Sequence, residues 1–208
     1  MTSIHPPKST LLLLPGLMCD TAAWQGQLDA LSALANCQAL GYGQLNSIGA
    51  MAEHVLAHAP TPRFALAGHS MGGRVALEIV RRAPERVERL ALLDTGFHPL
   101  QPGAAGEAER AGRFELLALA RREGMRAMGR QWARGMVHSD RLGTTVFDEI
   151  LDMIDRSSPD TFAAQIQALL DRPDATDLLP RIACPTLLLC GRDDGWSPLA
   201  RHEARSWW

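Results

Sequence analysis

The sequence predicts an α/β protein: a mostly parallel sheet with helices on both faces and a helical segment inserted between two of its strands. Short unbroken apolar runs, each stopped by glycine or proline, read as strands buried on both faces. Helical periodicity follows them, so strand and helix alternate as in a parallel sheet. The alternation then stops across 98–180, a stretch with helix-forming segments and no convincing strand run.

The elements follow in order. The run 11–14 is four leucines ended by Pro15-Gly16, too short for a helix and well stopped for a strand. A weaker strand is expected at 37–40. In 47–58, Ile48, Met51, Ala52 and Val55 mark one face of a helix. The run 64–67 is a buried strand ending at Gly68, and Val75, Leu77, Ile79 and Val80 lie in a helix that Pro84 closes. Strands follow at 87–93 and 185–190. Within the insertion, helices are expected at 107–122, 126–134, 146–154 and 161–170.

Composition narrows the function. The chain has 208 residues, 46% hydrophobic and 21% charged, enough for a sizeable core without staples. A net charge of −2 gives no electrostatic case for nucleic acid or an anionic membrane. Cys19, Cys37, Cys184 and Cys190 form no C-x-x-C pair and read as thiols of a reducing compartment. The first ten residues hold no apolar run long enough for a signal or a span, so a cytoplasmic protein is expected. No His/Cys/Asp cluster has ligand spacing, so neither metal nor cofactor is expected.

Gly68-His69-Ser70-Met71-Gly72 is G-x-S-x-G between an apolar strand and an apolar-periodic helix. A serine there sits on a sharp strand-to-helix turn, crowded by its neighbours, and the flanking glycines make room. The turn also sets it at a helix N-terminus, whose unpaired N–H groups favour a developing oxyanion. Ser70 is therefore the candidate nucleophile.

Together with Leu-Pro-Gly-Leu-Met-Cys-Asp after the first strand, Leu92 to Gly96 (Leu-Leu-Asp-Thr-Gly), and Leu-Cys-Gly-Arg-Asp-Asp-Gly-Trp-Ser-Pro near the end, this motif resembles the α/β-hydrolase fold family. The resemblance runs from Thr10 to about Glu203. It implies a core of 1–97 and 181–208 with a helical lid at 98–180. It implies an oxyanion hole from the backbone N–H of Met71 and of Leu17, with Met18 as the neighbouring alternative. It also implies a triad acid after a strand. Asp194, in Gly191-Arg192-Asp193-Asp194, is favoured over Asp94, and Asp193 is last. Each of these carboxylates has an ordinary use as well, accepting loop N–H bonds or capping a helix.

A serine needs a base, and the family places its histidine one helix and one strand beyond the acid. Only Gly195 to Trp208 follow Asp194, too few residues for a crossover and its strand. The usual histidine is thus expected to be missing, together with the last strand and helix, through truncation or frameshift. His202 is expected on a solvent-facing helix turn. His69 is expected to aim away from the site, His98 is the best substitute by location, and His54, His58, His138 and His5 read as surface or tail residues. Two consequences are expected: strongly lowered activity, and an exposed sheet edge that gives poor solubility or a homodimer joined near it.

Arg122, Arg126, Arg130 and Arg134 form a basic stripe that reads first as a solvated face, and otherwise as an anion-recognising lid face. Met125, Met128, Trp132 and Met136 are candidate pocket-liners, with ordinary packing favoured. The leading expectation is hydrolysis of a small-molecule ester, thioester or similar acyl substrate through acyl-Ser70. A non-catalytic ligand-binding or remnant member and an acyltransferase are the competing readings.

Overall fold

The structure is a computed structural model that describes residues 8–195 and 197–199. Its strands are β1 (Ser9–Leu14), β2 (Ala35–Ala39), β3 (Phe64–His69), β4 (Val87–Leu93) and β5 (Thr186–Leu189). All neighbours pair in parallel, in the order β2-β1-β3-β4-β5. The sheet is the one the alternating sequence expects, with strand ends shifted by a residue or two.

The leucine run explains the layering. Leu12 and Leu14 point to one face and Leu13 to the other, and all three are buried. On the first face they meet α2 (Ile48–His58) and α3 (Met71–Arg82) through Ile48, Met51, Val55, Val75 and Ile79. On the second, Leu13 and Ala67 pack with Trp24 and Leu28. Leu28 belongs to α1 (Gln25–Leu31), a helix the sequence reading missed. None of its residues is buried, so it carries no apolar stripe to announce it. The start of α2 was legible: Ser47 Oγ accepts from Ala50 N at 3.1 Å.

Between β4 and β5 lie α4 (Ala104–Glu123), α5 (Met125–Ala133), α6 (Thr145–Asp155) and α7 (Pro159–Leu170). Gly124, at φ 91°, breaks α4 from α5. Leu117, Met128, Leu151, Ile154, Phe162 and Ile166 of these helices share one apolar cluster with Leu12, Leu66 and Val75 of the sheet layer. The insertion is therefore packed onto the sheet rather than built around a core of its own. A partly buried ionic lock holds it: Arg172, just after α7, donates to Glu109 of α4 at 2.6 and 2.8 Å, and Arg113 donates to the same carboxylate. The basic stripe spreads over solvent, with Arg122 on Glu123 and Arg126 on Asp152.

On β5, Leu187 and Leu189 are 57% and 52% exposed, while Thr186 and Leu188 are half-buried. The exposed pair alternates along the strand, so among the described residues it is one face of β5 that stands open. No helix among the described residues is long and apolar enough to cross a membrane.

Candidate active site

Past their strand ends the ladders continue by one bond each. Ser70 N donates to Leu93 O at 2.9 Å and Asp94 N to Leu189 O at 3.0 Å. These bonds set Ser70, Asp94 and the loop after β5 side by side at the C-terminal edge, where a parallel sheet gathers its loops.

Ser70 connects β3 to α3 with φ 53° and ψ −114°. That conformation costs a non-glycine residue on the order of 1–3 kcal/mol. Its carbonyl oxygen is held twice, by Gly73 N at 3.0 Å and by Thr95 Oγ1 at 2.6 Å. A Cβ on Gly72 would stand 2.0 Å from Leu14 O, so glycine alone lets the start of α3 press against the end of β1. This contact carries the loop after β1 alongside the first turn of α3. There the Met71 N–H has no acceptor within the helix.

That loop begins with a turn in which Cys19 N donates to Gly16 O at 3.1 Å. Met18 occupies its third position at φ 59°, and its N–H donates to Gln165 Oε1 at 3.0 Å. The Leu17 N–H has no acceptor among the described residues. Of the two neighbouring amides considered from the sequence, Met18 is thus engaged and Leu17 is left open.

The acids both reach the site and both hold loop structure. Asp94, at φ 47°, accepts from Gly191 N at 3.0 Å through Oδ1. Asp194 Oδ1 accepts from Ser197 N at 2.8 Å. Both line the cleft, as does Asp193.

One histidine departs from the sequence reading. His69 does not aim away: it lines the cleft beside Ser70, against Gly16. Burial lowers its pKa, with Asp94 and Asp194 opposing, so the ring is neutral at pH 7. His138 lines the cleft as well. His98 turns away from it, 3.4 Å from Thr176 Oγ1 and tilted at 43° against the Phe97 ring. His5 and His202 lie outside the described residues. Among the described residues, Ser70 Oγ has no hydrogen-bond partner.

The cleft has a volume of about 1370 Å³, above the roughly 300–1,000 Å³ usual for small-molecule sites. Trp132, Met136, Val137, Ile150 and Met153 of the insertion give it apolar surface, and His138, Arg141 and Glu149 add polar groups. Met125 and Met128 are core residues instead, and none of the four stripe arginines reaches the cleft. Cys19 also lines it, with its thiol pushed up to about 12 by burial. Among the described residues no group of His, Cys, Asp or Glu is placed to hold a metal.

Comparison with known proteins identifies the family and the fold. Residues 11–208 match the model of the Alpha/beta hydrolase family. A curated relative is the pimeloyl-[acyl-carrier protein] methyl ester esterase of Nitrosomonas europaea, 32% identical over 105 residues. That match spans 45% of this chain and 41% of the enzyme, less than half its length. Among solved structures, a malate-bound thermophilic esterase from Thermogutta terrifontis superposes with a TM-score of 0.83 at 27% identity, over 97% of this chain and 78% of that one. The enol-lactonase from Burkholderia xenovorans shares the fold with a TM-score of 0.81 at 21% identity, over 98% and 80% of the two chains. With the elbow, the parallel sheet and a family match running from Leu11 to Trp208, the chain belongs to the alpha/beta hydrolase family.

Proposed function

We propose that this hydrolase uses Ser70 to cleave a small-molecule ester, thioester or similar acyl substrate. The observation that carries the reading is Ser70 itself. It is a strained serine at the N-terminus of α3, opening onto a large cleft beside an amide with no acceptor among the described residues. Ser70 Oγ adds to the acyl carbon as its proton passes to a base. The carbonyl oxygen becomes an oxyanion between the Leu17 and Met71 amides. Collapse expels the alcohol or thiol, and water then releases the acid from acyl-Ser70. Asp194 is the acid that would orient the base and stabilise its cation, with Asp94 bracing the loop that carries it. Cys19 is no rival nucleophile, because a thiol held near 12 stays protonated at neutral pH.

A second reading, a ligand-binding member without turnover, draws on Ser70 Oγ having no histidine partner among the described residues. Hydrolysis of short acyl esters, with Ser70→Ala as control, tests both. Ser70-dependent release of acid supports the hydrolase. Tight binding without any Ser70-dependent release or acylation supports the binder.

A further inference from the structure

Gln165 sits on α7, deep in the insertion, and only 5% of it is exposed. Its amide is spent on two loops of the sheet layer. Oε1 accepts from Met18 N at 3.0 Å, and Nε2 donates to Gly43 O at 3.4 Å. One side chain thus ties the loop after β1 and the loop after β2 to the insertion.

The bond to Met18 has a particular consequence. In the turn from Gly16 to Cys19, Leu17 keeps an ordinary φ while Met18 has φ 59°. A positive φ at the third position alone is the mark of a type II turn, where glycine is the usual residue. A methionine there is strained, and the competing type I turn differs by a flip of the Leu17–Met18 peptide. Flipped, that peptide would turn the Leu17 carbonyl oxygen, rather than the Met18 N–H, toward Gln165 Oε1. Two oxygens would then face each other in a buried place. Gln165 therefore selects one turn type against the local preference of the residue that forms it.

The other tie between insertion and loop is weaker. Arg156 donates to Asp20 at 2.8 Å, but both side chains are about half exposed, and solvent-exposed pairs of this kind contribute little.

We infer that Gln165 is a positioning residue for the oxyanion hole: by holding the Leu17–Met18 peptide it keeps the turn seated against α7, and that seating carries the Leu17 N–H, which belongs to the preceding peptide, toward Ser70. This rests on the proposed role of Ser70 as nucleophile. It also makes the oxyanion hole depend on the seating of α7, so a shift of the insertion on the sheet would loosen the turn.

The test follows the rate at which a fluorophosphonate labels Ser70, because the phosphoryl oxygen of the adduct enters the oxyanion hole. Peptide mapping of the unmodified chain comes first. Labelling at a residue other than Ser70, or none, overturns the reading of the nucleophile and the inference with it. With Ser70 labelled, Gln165→Met should slow labelling by at least ~10-fold, below the ~10²–10³-fold effect of deleting a donor outright. The noncovalent affinity for a substrate-like ketone that lacks a leaving group should change less than threefold. Gln165→Glu keeps an oxygen for the Met18 N–H but sets its second oxygen against Gly43 O, so it is compared with the unmodified chain at mildly acidic pH, where the buried carboxyl is protonated and can donate there, and should then recover most of the rate. Met18→Gly supplies a residue at ease with positive φ. Combined with Gln165→Met, it should lose less than Gln165→Met alone. Packing by Gln165 would give no such rescue. Unchanged labelling in a folded Gln165→Met protein overturns the inference while leaving the nucleophile in place. If that variant does not fold, the Gln165→Glu rate decides: a rate slowed as far as the ~10-fold threshold overturns it.

Discussion

Thr95 Oγ1 donates to the Ser70 carbonyl oxygen at 2.6 Å, so a residue just past the end of β4 clamps the backbone of the elbow between β3 and α3. Thr95 is 1% exposed, and a Cβ on Gly73 would fall within 2.5 Å of its methyl carbon. Thr95→Val keeps the shape and removes the donor. The Gly73 amide still serves the carbonyl, so the cost should be that of one buried hydrogen bond, ~1–2 kcal/mol. The melting temperature should fall by roughly 2–8 °C at 2–4 °C per kcal/mol for a chain of this size. Labelling of Ser70 should slow at the same time. A variant that melts as the parent and labels at the parent rate would show the clamp to be idle.

The strain at Ser70 makes a separate prediction. Alanine at position 70 inherits the unfavourable φ of 53°, whereas glycine does not. Ser70→Gly should therefore be more stable than Ser70→Ala by ~1–2 kcal/mol, net of the larger entropy glycine loses on folding. Both should be unreactive. Thermal melts of the two variants side by side read the difference directly, and a glycine variant below alanine would count against strain at this position.

The Glu109 lock gives the pH dependence. Burial raises its carboxyl, but hydrogen bonds from Arg172 and Arg113 outweigh burial and bring it down to about 2. A lowered folded pKa contributes stability that is full above the unfolded value near 4.5 and is lost as pH falls toward 2. Glu109→Gln should flatten the stability profile over that window. At neutral pH it should cost about 2–3 kcal/mol, because Arg172, at 8% exposure, loses its partner. The figure stays below that of a fully buried pair because Glu109 keeps 26% exposure. Urea titrations at pH 3 and pH 7 compare the two proteins.

The local parts of this site were legible and the distant ones were not. Gly68 to Gly72 announces itself because the geometry of the turn demands small residues at fixed offsets. Strand ends placed Asp94 and Asp194 for the same reason. Gln165 gave no signal: it is a polar residue on a half-buried helix, and its partner Met18 is 147 positions away. His69 was misread because the direction of a side chain at a strand end depends on what packs beside it. His69 settles against Gly16 and the cleft, and His98 against Phe97 and Thr176. The sequence argued for an open sheet edge at 185–190. What the structure adds is that Leu187 and Leu189 open a face of β5.

That face is testable. Leu187→Thr with Leu189→Thr exchanges exposed leucines for residues that suit a strand. The double variant should bind less of a hydrophobic dye and self-associate less in sedimentation, if copies of the 208-residue chain meet through β5. Association unchanged by the pair would remove β5 as the contact.

The base remains the sharpest question for chemistry. Ser70 Oγ has no hydrogen-bond partner among the described residues, and the neutral His69 lies in the cleft without bonding it. A serine hydroxyl without a base attacks slowly, while its oxyanion donors still act. Loss of a triad member leaves about 10³–10⁴-fold catalysis over water. With no base supplied from outside the described residues, the 208-residue chain should hydrolyse activated esters slowly, in a Ser70-dependent way. Added imidazole can enter a cleft of about 1370 Å³ and take the proton. It should raise the Ser70-dependent rate well above its own background in Ser70→Ala, with a profile that follows the neutral form and climbs between about pH 6 and 8. Asp194→Asn should lower the rescued rate more than the unrescued one, since the carboxylate acts only through a cation beside it. Brisk turnover that imidazole does not change would mean that the chain holds its own base. His202→Ala, His138→Ala and His69→Ala would then show which histidine took the role.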